Sequence, residues 1–285
     1  MTTVKAQGSD FLPVGKAKSY PPTALMTGLD RELEIALRAM EAGFHVRLIS
    51  TFDPELVYAP AESDARDWLA GNYPEFDQFP VRHERETIGV LLRDGQHNGK
   101  TVREAMRPLR DGLIVSTHMP IAELIPQLRE NHFRLVLRGG SIDGLVTQSD
   151  LVKLPVRMLV FGFISHFELL LRALIRKHHV EEGWLDRLEN NARGRIIKLL
   201  QKLRSERLEP DPLELTLFSD TLHIAGKLPD LGEELIVDSE CIEDLRNDIA
   251  HAKTFITAPA DVRTFVDRFE KLRNWIERVA AFLNR

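Results

Sequence analysis

A single cysteine, Cys241, stands in 285 residues, so no disulfide within the chain and no multi-cysteine metal site is available. No H-E-x-x-H metal motif occurs either. Basic charge is not in excess: 38 Lys and Arg face 43 Asp and Glu, for a net charge of −5. That balance excludes a broadly basic nucleic-acid coat and leaves room for a local basic face. The opening MTTVKAQGSDFLPVGKAKSY has no apolar core of signal-peptide type. The most apolar run, Val156 to Ile175, carries Arg157, His166, Glu168 and Arg172, which marks a buried bundle helix rather than a membrane span. The expectation is a soluble, cytoplasmic protein with no membrane partner. Its length suggests about two domains, and 43% hydrophobic residues supply their cores.

Residues 1–27, rich in Gly, Pro, Lys and Ser, read as a loose or docked tail. DRELEIALRAMEAGF, 30–44, predicts an amphipathic helix with Leu33, Ile35, Ala36, Leu37 and Met40 toward a core. HVRLIS, 45–50, reads as a strand. Short strands then alternate with helices up to Asp150: strands at 56–59, 79–81, 87–92, 112–116, 133–137 and 143–147, helices at 62–70, 101–106 and 120–130. Strand, helix, strand, strand occurs twice at a spacing near 55 residues, an internal duplication with copies at about 46–95 and 100–154.

In the second copy a helix with Ile121, Leu124, Ile125 and Leu128 on one face leads to two strands joined at Gly139-Gly140. The copy ends Gly144-Leu145-Val146-Thr147-Gln148-Ser149-Asp150. A strand that delivers Thr147 to the start of a helix places free N–H groups where a phosphate fits, and Asp150 can accept from ribose hydroxyls. The pattern resembles a CBS domain, whose repeats end in Gly, two apolar residues, Thr or Ser, two residues, Asp. The resemblance implies a cleft for an adenine nucleotide (AMP, ADP or ATP) as regulatory ligand, held by Thr147 and Asp150. The alternative role for both residues is simple capping of the following helix. The first copy keeps the FPV…IGVLL strand pair, but Leu92 replaces the Thr and Asp94 comes one residue early. At most one well-formed site is expected.

Gly95 to Thr101 is one residue short of a phosphate-binding loop, because Asp94 stands where a Gly is needed. A linker turn is the reading there.

After Pro155 the patterns have a period of 3.6: 156–179, 182–207, 212–226, 239–256 and 261–284, separated by Pro210, Pro212, Pro229, Gly232 and Pro259. They predict an all-α bundle of four or five helices. Within the fourth, Ser239 is a candidate N-cap, with Glu240, Glu243 and Asp244 at the positive end of the dipole. Its second half reads Leu245-Arg246-Asn247-Asp248-Ile249-Ala250-His251. Asn247 and His251 share a face, whereas Arg246 is about 140° round from His251. One helix therefore cannot aim both at one atom, but two helices about a two-fold axis can. An Arg-Asn pair followed by Ala-His near the end of such a bundle resembles the HEPN superfamily, whose motif is Arg, four to six residues, His. That resemblance implies a homodimer, and for many members a metal-independent ribonuclease.

The chemistry is consistent. Attack by RNA's own 2′-hydroxyl needs a base near neutral pKa, which His251 supplies. Arg246 can fork onto phosphate oxygens, and Asn247 can orient imidazole or phosphate. Glu243, Asp244 and Asp248 could instead pair with Arg246 and weaken that attraction. The spacing alone is loose, since Arg172 and His178 also satisfy it. Glu168 could contact the same two-fold cleft; the ordinary reading pairs it with Arg172, four residues on. Arg193, Arg195, Lys198, Lys202, Arg204 and Arg207 make a solvated helix face or an RNA backbone track.

The combined expectation is an α+β chain: an N-terminal CBS pair over 28–154, then an all-α HEPN-like bundle over 156–285. Nucleotide sensing by the pair would control a dimeric bundle that cuts RNA through Arg246, Asn247 and His251, with no metal. The alternative is a non-catalytic ligand-binding, dimerising scaffold.

Overall fold

The computed structural model describes residues 22–95, 97, 100–110, 112–179, 183–229, 231–251 and 255–284. The tail expected at 1–27 lies outside these up to residue 21. From Pro22 the chain is already helical, in α1 (Pro22–Gly43). Leu33, Leu37 and Met40 pack against the core, as the 3.6 period requires, while Ile35, off that period, and Ala36, at the edge of the stripe, face outward. The strand expected at 45–50 is instead a 3-10 turn, Val46–Leu48. Val46 and Ile49 are both buried, three apart, and the Ser50 hydroxyl donates back to the Val46 carbonyl. That spacing suits a turn and breaks the alternation a strand needs.

The duplication is plain in the strands. β1 is Thr51–Phe52, β2 Ala59–Pro60, β3 Gln78–His83, β4 Glu86–Leu92, β5 Arg107–Pro108, β6 Ile114–Ser116, β7 Phe133–Arg138 and β8 Ser141–Thr147. β3 and β7 begin 55 residues apart (78 to 133), as do β4 and β8 (86 to 141). Even the register shift recurs at that step, between Val81 and Arg82 and between Val136 and Leu137. Between the parallel strands lie α2 (Ala65–Gly71) and α4 (Ile121–Gln127). The short α3, Val102–Ala105, precedes β5. Thr101 and Glu104 close a reciprocal cap on α3, each accepting from the other's backbone N–H. The loop before it falls largely outside the described residues.

Each copy gives its leading strand to the other's sheet. One sheet has the order β1-β8-β7-β6, the other β2-β3-β4-β5. The exchanged strands come in close over two glycines that are themselves 55 residues apart (89 to 144). A Cβ on Gly89 would sit 2.5 Å from the Arg107 carbonyl oxygen, and one on Gly144 2.5 Å from the Phe52 ring. Replacing Gly144 by valine is expected to cost about 1–3 kcal/mol through overpacking, read as a lower urea midpoint. An unchanged midpoint would show that β1 is not held there. The two sheets also share a small core, with Val90 of one against Phe133 and Leu135 of the other, and Thr87 donates to the Ile142 carbonyl at 2.7 Å.

From β8 a 3-10 turn, Gln148–Val152, leads through Lys153 directly into α5 (Leu154–His178). α5 is long and apolar enough to cross a membrane by length and composition, but 61% of its apolar window is buried within the fold. Among the described residues four more long helices follow: α6 (Asn190–Ser205), α7 (Phe218–Gly226), α8 (Gly232–Ala250) and α9 (Pro259–Leu283). The helix expected over 182–207 is split by a 3-10 turn at Gly183–Arg187, and that over 212–226 by one at Pro212–Leu215. The centre is aromatic: Phe163 of α5 meets Phe269 of α9 edge-on at 5.3 Å.

The repeats and the bundle are tied together. Phe44 and Val46 exchange backbone bonds with the start of α4, Val46 N–H to Met119 O and Ile121 N–H to Phe44 O. Arg129, just past α4, pairs with Asp267 and Glu270 of α9. Lys153 reaches back to the Ile49 carbonyl at 2.5 Å.

Candidate functional site

α8 differs from its expected form at both ends. It starts at Gly232, so Ser239 is not its N-cap but an interior residue whose hydroxyl donates to the Ile236 carbonyl at 2.7 Å. The reason is the apolar stripe: Leu235 is buried along with Ile242, Leu245 and Ile249, which carries the buried face back past Ser239. The acidic first turn is therefore Glu233 and Glu234, not Glu240 to Asp244. At the other end α8 stops at Ala250. His251 is the C-cap, exposed, with its N–H on the Asn247 carbonyl at 3.1 Å. The helix does not reach Phe255, whose ring meets Phe265 at 5.0 Å, tilted by 37°.

The three motif residues thus lie on the last turns of α8. Arg246 is half-buried and donates to the Asn247 side-chain oxygen at 3.1 Å; Asn247 and His251 are exposed. No contact among the described residues joins Arg246 to His251, as their angular separation on one helix dictates. Two of the three acidic neighbours, Asp244 and Asp248, are engaged elsewhere. Arg268 of α9 holds Asp244 at 2.8 Å and Asp248 at 3.0 Å. Glu243, one turn before Arg246, has its carboxyl pKa pushed up, first by burial and then by Asp244, while Arg246 opposes that shift. The hydrogen-bond partner of Arg246 is a side-chain amide, with Glu243 nearby as a charge. A cavity of about 330 Å³ opens between α6, α7 and α8, lined by Glu189, Asp220, His223 and Glu243 among others, and not by Arg246. Arg172 and His178 do not make a second such site: Arg172 is on Glu168 at 2.7 Å, as the four-residue spacing predicted. On the basic face of α6, Arg193 pairs with Asp186 and Arg195 with Asp220.

Thr147 and Asp150 are brought together, chiefly by each other. The Asp150 carboxylate accepts the Thr147 N–H at 2.6 Å and its hydroxyl at 3.1 Å, and its other oxygen meets the Lys153 ammonium at 2.7 Å. The Thr147 hydroxyl also meets the Ser149 hydroxyl at 2.7 Å. Asp150 is buried, so these bonds satisfy a desolvated carboxylate. The helix they open is a 3-10 turn of five residues, shorter than the resemblance implied. Asp150→Ala removes the carboxylate that accepts from the Thr147 N–H and hydroxyl and leaves the Lys153 ammonium with the Ile49 carbonyl, an expected loss of about 1–3 kcal/mol. Chemical denaturation measures it; an unaltered midpoint would mean that Asp150 carries no capping role. In the first copy, Leu92 stands 55 residues before Thr147 and Gly95 55 before Asp150, so no equivalent pair exists there.

Among the described residues no group of three or more His, Cys, Asp and Glu side chains is arranged to hold a metal ion.

No protein-family profile matches the chain, and no curated protein matches it. Solved structures do. The CBS domain of a bacterial CNNM/CorC family Mg2+ transporter is 23% identical, over 46% of this chain and 92% of that one, with a TM-score of 0.34. The same domain with the inhibitor IGN95a gives 22% identity over 46% and 93%, with a TM-score of 0.34. Its complex with ATP gives 24% over 44% and 96%, with a TM-score of 0.35. The chain is an α+β protein of two strand-exchanged βαββ repeats followed by a helical bundle.

Proposed function

We propose that this chain is a nucleotide-responsive regulator acting on RNA. The repeat pair, of CBS type, senses an adenine nucleotide, and the bundle, of HEPN type, is a homodimeric, metal-independent ribonuclease. The observation that carries this reading is the end of α8: His251 is exposed, and Arg246 is bonded to Asn247 while Arg268 occupies Asp244 and Asp248. In that setting Arg246 is available to a phosphate. Two such helix ends facing across a two-fold axis supply the Arg and the His that one helix keeps apart. His251 takes the proton from the RNA 2′-hydroxyl, whose oxygen attacks phosphorus as the 5′-oxygen leaves, giving a 2′,3′-cyclic phosphate. Arg246 offsets the charge that builds on the phosphoryl oxygens.

An uncharged stripe on α5 supports association of two copies: Leu154, Met158, Phe161 and Leu169 are all exposed on one helix face. For the nucleotide, Thr147 and Asp150 are the contacts. A ribose would displace the Thr147 hydroxyl or the Lys153 ammonium from Asp150, so binding and local capping compete.

The second reading is a non-catalytic, dimerising scaffold, favoured by the mutual Arg246–Asn247 bond, which is also what a structural polar pair would make. Cleavage of end-labelled single-stranded RNA in EDTA separates the two. Wild type is expected to give cyclic-phosphate products and His251→Ala at least about 100-fold less. Equal rates from both proteins would leave the scaffold.

A further inference from the structure

Away from α8, three helix faces converge on a second, larger cavity. Leu37 of α1, Phe163 and Leu170 of α5, and Ile276 and Leu283 of α9 give it apolar walls, and its volume is about 580 Å³. That is the size of a small-molecule site. α1 is seated close to α5 here, since Gly162 leaves room for the Met40 side chain.

The polar groups around this cavity are unevenly matched. Glu34 is neutralised by Arg38 at 2.5 Å. Arg273 points a guanidinium nitrogen at the Ala122 carbonyl, 3.5 Å away. Glu41 and Glu277 line the cavity with no ion-pair partner among the described residues. His166 lines it as well, only 9% exposed, and makes no hydrogen bond to any described residue. Its ring faces a cavity in which a ligand N–H, hydroxyl or carbonyl can bond to it. Burial holds the His166 pKa below its ordinary value, so the ring is neutral at pH 7 and does not repel a cation.

We propose that the cavity between α1, α5 and α9 binds a small organic cation with an apolar body, an alkyl- or arylammonium ion. The body lies against Phe163, Leu170, Ile276 and Leu283, the ammonium sits toward Glu41 and Glu277, and His166 takes a polar atom in between. Glu34, Glu41 and Glu277 line the cavity against Arg38 and Arg273, three carboxylates to two guanidiniums, so the balance favours a cation over an anion. A wholly apolar molecule would strip water from the carboxylates and leave His166 unbonded. The residues present do not make a metal site. The inference stands apart from the RNA reading, because none of these side chains belongs to the end of α8.

Calorimetric titration of the full chain with 2-phenylethylammonium chloride, and with neutral 2-phenylethanol, tests it. The ammonium ion is expected to bind saturably and at least tenfold tighter than the alcohol. Glu41→Gln/Glu277→Gln should bring the two affinities within twofold, and Ala280→Phe, which fills the cavity from its wall, should abolish both. The Gln pair lies toward the surface, so it decides the matter even if Ala280→Phe disturbs folding. Absence of saturable binding, equal affinities in wild type, or a tenfold preference that survives the Gln pair would each overturn the proposal.

Discussion

Replacing Phe269 by alanine is expected to lower the free energy of unfolding by about 3–5 kcal/mol. Phe269 is fully buried at the point where α9 crosses α5, edge-on to Phe163 at 5.3 Å and stacked with Phe265 at 6.5 Å. Truncation removes the transfer free energy of the ring and both aromatic contacts, and it leaves a cavity between two long helices that cannot close over it. Against a typical net stability of about 5–15 kcal/mol, that is a large share. Urea unfolding followed by far-ultraviolet circular dichroism measures the change. A loss below about 1 kcal/mol would contradict the packing described. Arg129 couples α9 to the second repeat through Asp267 and Glu270, so the damage should reach the repeats as well as the bundle.

The second large effect concerns Arg246. On the proposed mechanism Arg246→Ala removes the cation that faces the phosphoryl oxygens, at an expected cost of about 10²–10³ in the rate of RNA cleavage. Arg246→Lys should recover only part of it, because an ammonium cannot make the paired contacts of a guanidinium fork. Stability should hardly change, since the bond Arg246 loses is to exposed Asn247. Wild-type rates in Arg246→Ala would remove Arg246 from the chemistry. Full recovery by lysine would reduce its role to charge alone.

The repeats could be read from the sequence because alternation and turn chemistry are local: Gly139 and Gly140 both adopt positive φ, and Gln78–His83 and Phe133–Arg138 are both strands. The exchange of leading strands could not be read. Thr51–Phe52 and Arg107–Pro108 are two residues each, too short for a period, and their partners lie far along the chain. Gly144 was visible as a motif position, but only Phe52 lying over it explains why a side chain is excluded. In α8 the periodicity was right and the start was wrong, since Ser239 has the chemistry of a cap without the position of one. Whether Asp244 and Asp248 would quench Arg246 was undecidable from spacing. The answer depends on Arg268, twenty residues beyond Asp248. The cavity at α1, α5 and α9 is likewise a meeting of three distant segments, of which only His166 stood out in the sequence as a polar residue in an apolar run.

The same contacts make a continuous path from the repeats to the end of α8. Arg129 holds Asp267 and Glu270 on α9, and Arg268, between them in sequence, holds Asp244 and Asp248 on either side of Arg246. A nucleotide that shifts the second repeat would therefore act on α8 through α9, provided that it binds the two positions with different affinity. The most direct test is the initial rate of RNA cleavage in EDTA with and without saturating ATP, in wild type and in Arg129→Ala. ATP is expected to change the wild-type rate by about 5-fold or more, within the usual range of coupling between sites, and to leave the rate of Arg129→Ala unchanged. A wild-type rate that ATP does not alter, with ATP binding verified in the same buffer, would contradict a sensor that controls the bundle.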